Sequence, residues 1–102
     1  MARTRLELHE ELCEVLGSRK CYFSPPSTLE FPCILYKRER PLVNHADNIK
    51  YRSMNRWTIT IIDENPDSDI PRRLEEHFQH YCTKDREYPS DGLNHFVYDL
   101  YY

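Results

Sequence analysis

Between Thr4 and Leu16 apolar side chains recur at helical spacing, with Leu8, Leu12, Val15 and Leu16 on one stripe and Glu7, Glu10, Glu11 and Glu14 mostly off it. Thr4 and Glu7 fit a capping box, and Gly17 provides the left-handed residue that ends the helix. The period then drops to that of strands. Cys21, Tyr22 and Phe23 predict a short strand stopped by Pro25 and Pro26, and Phe31 to Lys37 a second. In a third, from about Tyr51 to Asp63, Trp57, Ile59 and Ile61 alternate with Thr58 and Thr60. Asn65, Pro66 and Asp67 then form a turn. Ser68 or Asp69 is expected to cap a second helix with Pro71 in its first turn and Ile70, Leu74 and Phe78 on its buried stripe. Two strands follow, about Cys82 to Tyr88 and Asn94 to Tyr101. The connection between them contains Asp91-Gly92.

This order of helix, three strands, helix, two strands predicts a single α+β domain over 1–102. It has a mostly antiparallel sheet of about five strands with two helices on one face. Trp57, Ile59 and Ile61 should pack under Leu8, Leu12, Leu74 and Phe78, because two apolar helix stripes must cover the strongly alternating strand. From Glu39 to Lys50 the chain turns polar, so a long hairpin over about 36–56 is expected to project beyond the core.

With 102 residues the chain is too short for a two-domain enzyme, and its 30% charged content leaves a thin core. The formal net charge of -3 is small and of the wrong sign for a protein that mainly grips phosphates. Its distribution is more telling. Residues 1–36 carry net -1, residues 37–56 net +4 and residues 57–102 net -6. Such a chain repels DNA with one surface and offers opposite charges to copies of itself. No apolar run approaches the roughly 20 residues that span a membrane, so no membrane partner is expected. No apolar leader segment follows the start, so Cys13, Cys21, Cys33 and Cys82 are expected as free thiols.

Candidate chemistry is sparse. His9 and Cys13 are spaced i, i+4, and His77, His80 and Cys82 lie close together, but the cysteines lack the tight paired spacing of structural zinc sites. The serines lie in turn and edge contexts, and two glycines exclude a phosphate-cradling loop. Asp63, Glu64, Asp67 and Asp69 cluster at a strand end, where capping and turn formation account for Asp67, Ser68 and Asp69. No enzyme, cofactor or metal is expected. The hairpin carries Lys37, Arg38, Arg40, Lys50, Arg52 and Arg56 with Tyr36 and Tyr51, a mixture that suits either a nucleic-acid finger or a protein contact. The reading chosen is a protein interface built from Tyr36, Arg38, Arg40, Tyr51, Arg52 and Arg56. Tyr101 and Tyr102 are added because they end the sequence where fraying is expected.

Several segments together form a pattern: Leu8-His9-Glu10-Glu11-Leu12 with Gly17-Ser18, Tyr22-Phe23 with Pro25-Pro26, and Phe31-Pro32-Cys33-Ile34-Leu35-Tyr36. To these are added Thr58 to Asp63 with Asn65-Pro66-Asp67-Ser68, and Leu93-Asn94-His95 before Tyr101-Tyr102. The pattern covers nearly the whole chain and resembles the tail terminator, or tail-completion, proteins of long-tailed bacteriophages. Each motif is a turn or packing signature, so no active site is carried over. The resemblance implies a virion structural protein at the junction of tail and neck, assembled in the host cytoplasm. Its copies would form a ring, a hexamer, that caps the head-proximal end of the tail tube, stops tube growth and joins the head connector. Its partners would be itself, the tail tube protein and the head-completion or connector protein, with genome DNA passing through the lumen unbound. The alternatives are a head-completion (stopper) protein of the neck and a small nucleic-acid-binding regulator.

Overall fold

The computed structural model describes residues 4–40 and 55–102. Helix α1 spans Arg5–Leu16, and its capping box is formed: the Glu7 amide donates to the Thr4 hydroxyl while the Glu7 carboxylate accepts from the Thr4 amide. Gly17, at φ +82°, closes it, its amide donating a hydrogen bond to the Cys13 carbonyl. Strands β1 (Cys21–Tyr22), β2 (Cys33–Glu39) and β3 (Arg56–Asp63) follow. Helix α2 (Ile70–Phe78) runs through a short 3-10 turn into β4 (Cys82–Ser90) and β5 (Leu93–Tyr101). Asp69 occupies the N-cap position of α2, but its carboxylate makes no capping bond. It pairs instead with Arg72 and Arg73, and the Ser68 hydroxyl accepts from the Ile70 amide.

The expected α+β architecture is present, with the five strands in the order β1-β2-β3-β5-β4 and the sheet left open. β1 runs parallel to β2 and every other pairing is antiparallel. Asp91 and Gly92, both at positive φ, make the two-residue turn between β4 and β5, a conformation whose twist matches the strands it joins.

Strand alternation divides the sheet into two faces. Trp57, Ile59 and Ile61 of β3 lie beside Ile34 and Tyr36 of β2 and Phe96, Tyr98 and Leu100 of β5. Leu8, Leu12, Val15 and Leu16 of α1 and Ile70, Leu74 and Phe78 of α2 complete the same cluster, so both helices cover one face, as expected. The Tyr98 hydroxyl donates to Glu75 at 2.5 Å, which ties α2 to the sheet beneath it. Cys33, Ile62 and Val97 are buried too, but lie outside that cluster, on the opposite face.

The expected projection of the hairpin over 36–56 is corrected at its base. Lys37, Arg38 and Glu39 pair with Thr58, Trp57 and Arg56, and Arg56 pairs with Tyr101 on its other side, so these residues belong to the sheet. The hairpin's tip lies outside the described residues. Beyond Arg56, Asn55 exchanges two backbone hydrogen bonds with Tyr102, at 3.0 and 2.9 Å, and prolongs the β3–β5 ladder.

Candidate interaction surface

The residues expected at an interface have separate fates. Tyr36 is 2% exposed, its ring lies against Phe23 and Trp57, and its hydroxyl shares a 2.8 Å hydrogen bond with His9 Nδ1. Tyr102 is 3% exposed, stands edge-on to Phe78 and donates to Glu11. Both are corrections: an aromatic ring sealed in its own chain's core presents no area to a partner. The tyrosine count carries no information on which ring closes the core, and that is why both were misplaced.

Arg56 also turns inward. Its guanidinium lies 3.0 Å from Asp99, on the neighbouring strand, and donates to the Arg40 carbonyl at 3.1 Å. Tyr101 is half-buried. Arg38 and Arg40 are exposed as expected, with the Arg38 guanidinium 4.8 Å above the Trp57 ring. Tyr51 and Arg52, with Lys50, lie outside the described residues. Among the described residues the bases of this segment have separate partners: Lys37 pairs with Glu39, Arg56 with Asp99, and Arg38 with an aromatic face.

Titratable groups elsewhere are held in structural contacts. His77 Nε2 lies 2.8 Å from Glu11 and joins the end of α2 to the middle of α1, while the His95 ring stacks on Tyr88 at 4.8 Å. At the turn before α2, Asp63 accepts from the Asn65 amide and Asn65 from the Asp67 amide, a chain of turn contacts. Among the described residues no three His, Cys, Asp or Glu side chains gather as metal ligands. The Cys13 and Cys21 thiols touch in the core. Burial, helped by Cys13, pushes the Cys21 thiol well above its ordinary range. Burial also raises Cys33 to about 11, and burial with the nearby Glu75 and Asp99 carboxylates raises Cys82 to about 12. Such thiols stay protonated and unreactive near neutral pH.

What the sequence reading did not weigh is the sheet's two margins. β1 is two residues long and pairs only with Ile34 and Leu35, so among the described residues nothing pairs with the outer side of β2 beyond the Tyr36 amide. At the other end β4 is bonded to β5 alone, and every residue from Thr83 to Ser90 is exposed. Its Lys84, Asp85, Arg86 and Glu87 alternate in charge, with a bulge between Lys84 and Arg86. The signal lay in that run of charges, which marks an edge. Among the described residues both margins thus present backbone donors and acceptors outside the sheet's own ladders, the kind of edge to which a strand can add. Compared with family models, with curated proteins and with solved structures, the chain matches none.

Proposed function

We propose that this chain is a virion structural subunit, the tail terminator of a long-tailed bacteriophage. It works as a ring that caps the head-proximal end of the tail tube and joins it to the head connector. The observation that carries the reading is the pair of sheet edges left unpaired, among the described residues, at opposite ends of one strand order. Two unlike edges on one subunit suit head-to-tail association, which closes into a ring when the rotation per copy divides a full turn. The motif resemblance supplies the place of that ring in the virion. The net -6 over residues 57–102 fits a conduit that lets DNA pass without adhesion.

The test has two arms. Native mass spectrometry of the purified chain is expected to show a closed oligomer, a hexamer on this reading. Negative-stain imaging of particles carrying a tagged copy is expected to show label at the neck. Tails made without heads should carry the protein if it is the terminator, whereas heads made without tails should carry it if it is a head-completion protein. A monomer that binds DNA tightly with a steep salt dependence would replace the ring with a nucleic-acid-binding regulator.

A further inference from the structure

We propose that the outer edge of β2, around Arg38 and Glu39, and the outer edge of β4, from Asp85 to Pro89, are the two halves of one interface. On this view β4 of one copy adds antiparallel to β2 of the next, with Arg38 opposite Glu87. The proposal deepens the ring reading and relies on it for the premise that copies associate.

Direction is set first. β2 is antiparallel to β3, β3 to β5 and β5 to β4, so β2 and β4 of one chain run in opposite senses. A second copy moved sideways by the width of the sheet, and turned about an axis along the strands by the ring's rotation per copy, therefore brings its β4 antiparallel to the first copy's β2. The helices of both copies then stay on the same side. Among the described residues β1 pairs only as far as Leu35, a parallel pair that also engages the Tyr36 amide, so the opening begins with the Tyr36 carbonyl and Arg38.

The backbone sets the parity. The Ile34 amide donates outward to the Lys20 carbonyl at 3.0 Å, so by strand alternation the amides and carbonyls of Tyr36 and Arg38 also face outward. On β4 the two-residue turn makes Ser90 and Leu93 a mutually bonded pair, so Ser90, Tyr88 and Arg86 face β5 while Pro89 and Glu87 face outward. Pro89 thus sits where its lack of an amide hydrogen costs β5 nothing. An interface register must join outward-facing residues to outward-facing residues, and Arg38 with Glu87 does so.

Charge then selects among the registers that remain. With Arg38 opposite Glu87, Glu39 falls opposite Arg86 and Arg40 opposite the bulged Asp85, three pairs of opposite sign. The faces also agree. Arg38 shares its side of the sheet with Trp57, and Glu87 shares its side with Phe96, both on the helix-covered face. Glu39 and Arg86 lie on the other face. A slip of one residue in one direction sets Arg38 against Arg86 and Glu39 against Asp85; in the other it sets Glu39 against Glu87 and Arg40 against Arg86. Both slips also break the backbone parity. A slip of two residues either sets Lys37 against Arg86 beside two attractive pairs, Arg38 with Asp85 and Glu39 with Lys84, or leaves a single attractive pair, Arg40 with Glu87; neither matches the three pairs of the proposed register. In the lone subunit the Lys37–Glu39, Lys84–Glu87 and Asp85–Arg86 pairs are all on the surface, so exchanging them for contacts between copies costs little.

The experiment uses two folded variants of the full chain: Arg38→Glu with Glu39→Arg on the β2 edge, and Arg86→Glu with Glu87→Arg on the β4 edge. Circular dichroism and urea unfolding confirm that each folds. In native mass spectrometry and sedimentation at low salt, the wild type is expected to form the closed oligomer. Each variant alone is expected to associate at least about tenfold more weakly, because its edges now meet with like charges. An equimolar mixture of the two is expected to recover the oligomer with the variants strictly alternating and an even copy number, because each reversed edge then finds its reversed counterpart. Variants that assemble alone as the wild type does, or a mixture that stays monomeric, overturn the edge pairing while leaving the ring reading intact. A wild type that remains monomeric at the highest soluble concentration overturns both.

Discussion

The hydroxyl of Tyr102 donates a hydrogen bond to Glu11, joining the final residue of the sequence to the middle of α1. Glu11 also faces His77 of α2, and Tyr102 stands edge-on to Phe78, so one carboxylate and one ring gather α1, α2 and the end of β5. Removing only the hydroxyl, as Tyr102→Phe, is expected to lower unfolding stability by about 1–3 kcal/mol, the usual cost of a lost hydrogen bond to a charged group. Urea titration measures it, and a change within error of zero would show that the contact contributes nothing.

Trp57→Ala is expected to cost about 3–5 kcal/mol. Its ring is fully buried between the Tyr36 and Phe23 rings and under the helix stripes, so truncation leaves a void in the centre of the only large cluster described. Thermal and urea unfolding should both register the loss. A variant melting within a few degrees of the wild type would contradict the core described above.

The buried thiols predict alkaline sensitivity. Cys33 is raised by burial from 9.0 to about 11, and Cys82 to about 12. A raised folded-state value means that the folded protein prefers the neutral thiol. This contribution is therefore complete below pH 9, where unfolded thiols are also neutral, and is lost as pH climbs toward the folded values. For Cys33 the loss amounts to about 3 kcal/mol. Urea unfolding compared at about pH 8 and about pH 11 should show it, and Cys33→Ala should flatten the slope while lowering stability at both values. An identical pH slope in the variant would remove Cys33 from the account.

Gly17→Ala is expected to destabilise by about 1 kcal/mol. The cause is the backbone, since φ is +82° and the nearest atom to an added methyl is the tip of Arg73 at 3.9 Å, which leaves room. Gly17→Asn should recover part of the loss, because Asn tolerates the left-handed conformation. Equal stability of all three chains would count against a strained cap.

Pairing at a distance is tested by Arg56 and Asp99, which lie on adjacent strands and are mostly shielded from water. Removing one partner, as Asp99→Ala, leaves the Arg56 charge partly buried beside the Arg40 carbonyl and is expected to cost about 1–3 kcal/mol. The double variant, with Arg56→Met added, should lose less than the two single changes together, which a double-mutant cycle in urea reads directly.

Sequence alone determined what depends on neighbours a few residues apart. Thr4 and Glu7 read as a capping box, Gly17 as a helix end and Asp91-Gly92 as a hairpin turn because each is a contact closed within one or two turns of chain. The alternation of Trp57, Ile59 and Ile61 determined which face of β3 is covered, and the apolar stripes of the two helices determined what covers it. The edge strands and the fate of the interface residues came only from the tertiary structure. β5 inserts between β3 and β4, so Asp99 meets Arg56 across 43 positions and draws inward a base that local composition places on the surface. The same folding carries Tyr102 across 91 positions to Glu11 and seals Tyr36 against His9 of α1. Strand order is a global outcome of which hydrophobic faces can be buried together. The charge run of β4 marks an edge, but the pattern along the strands does not give the strand order that sets Arg38 near one margin and Glu87 at the other.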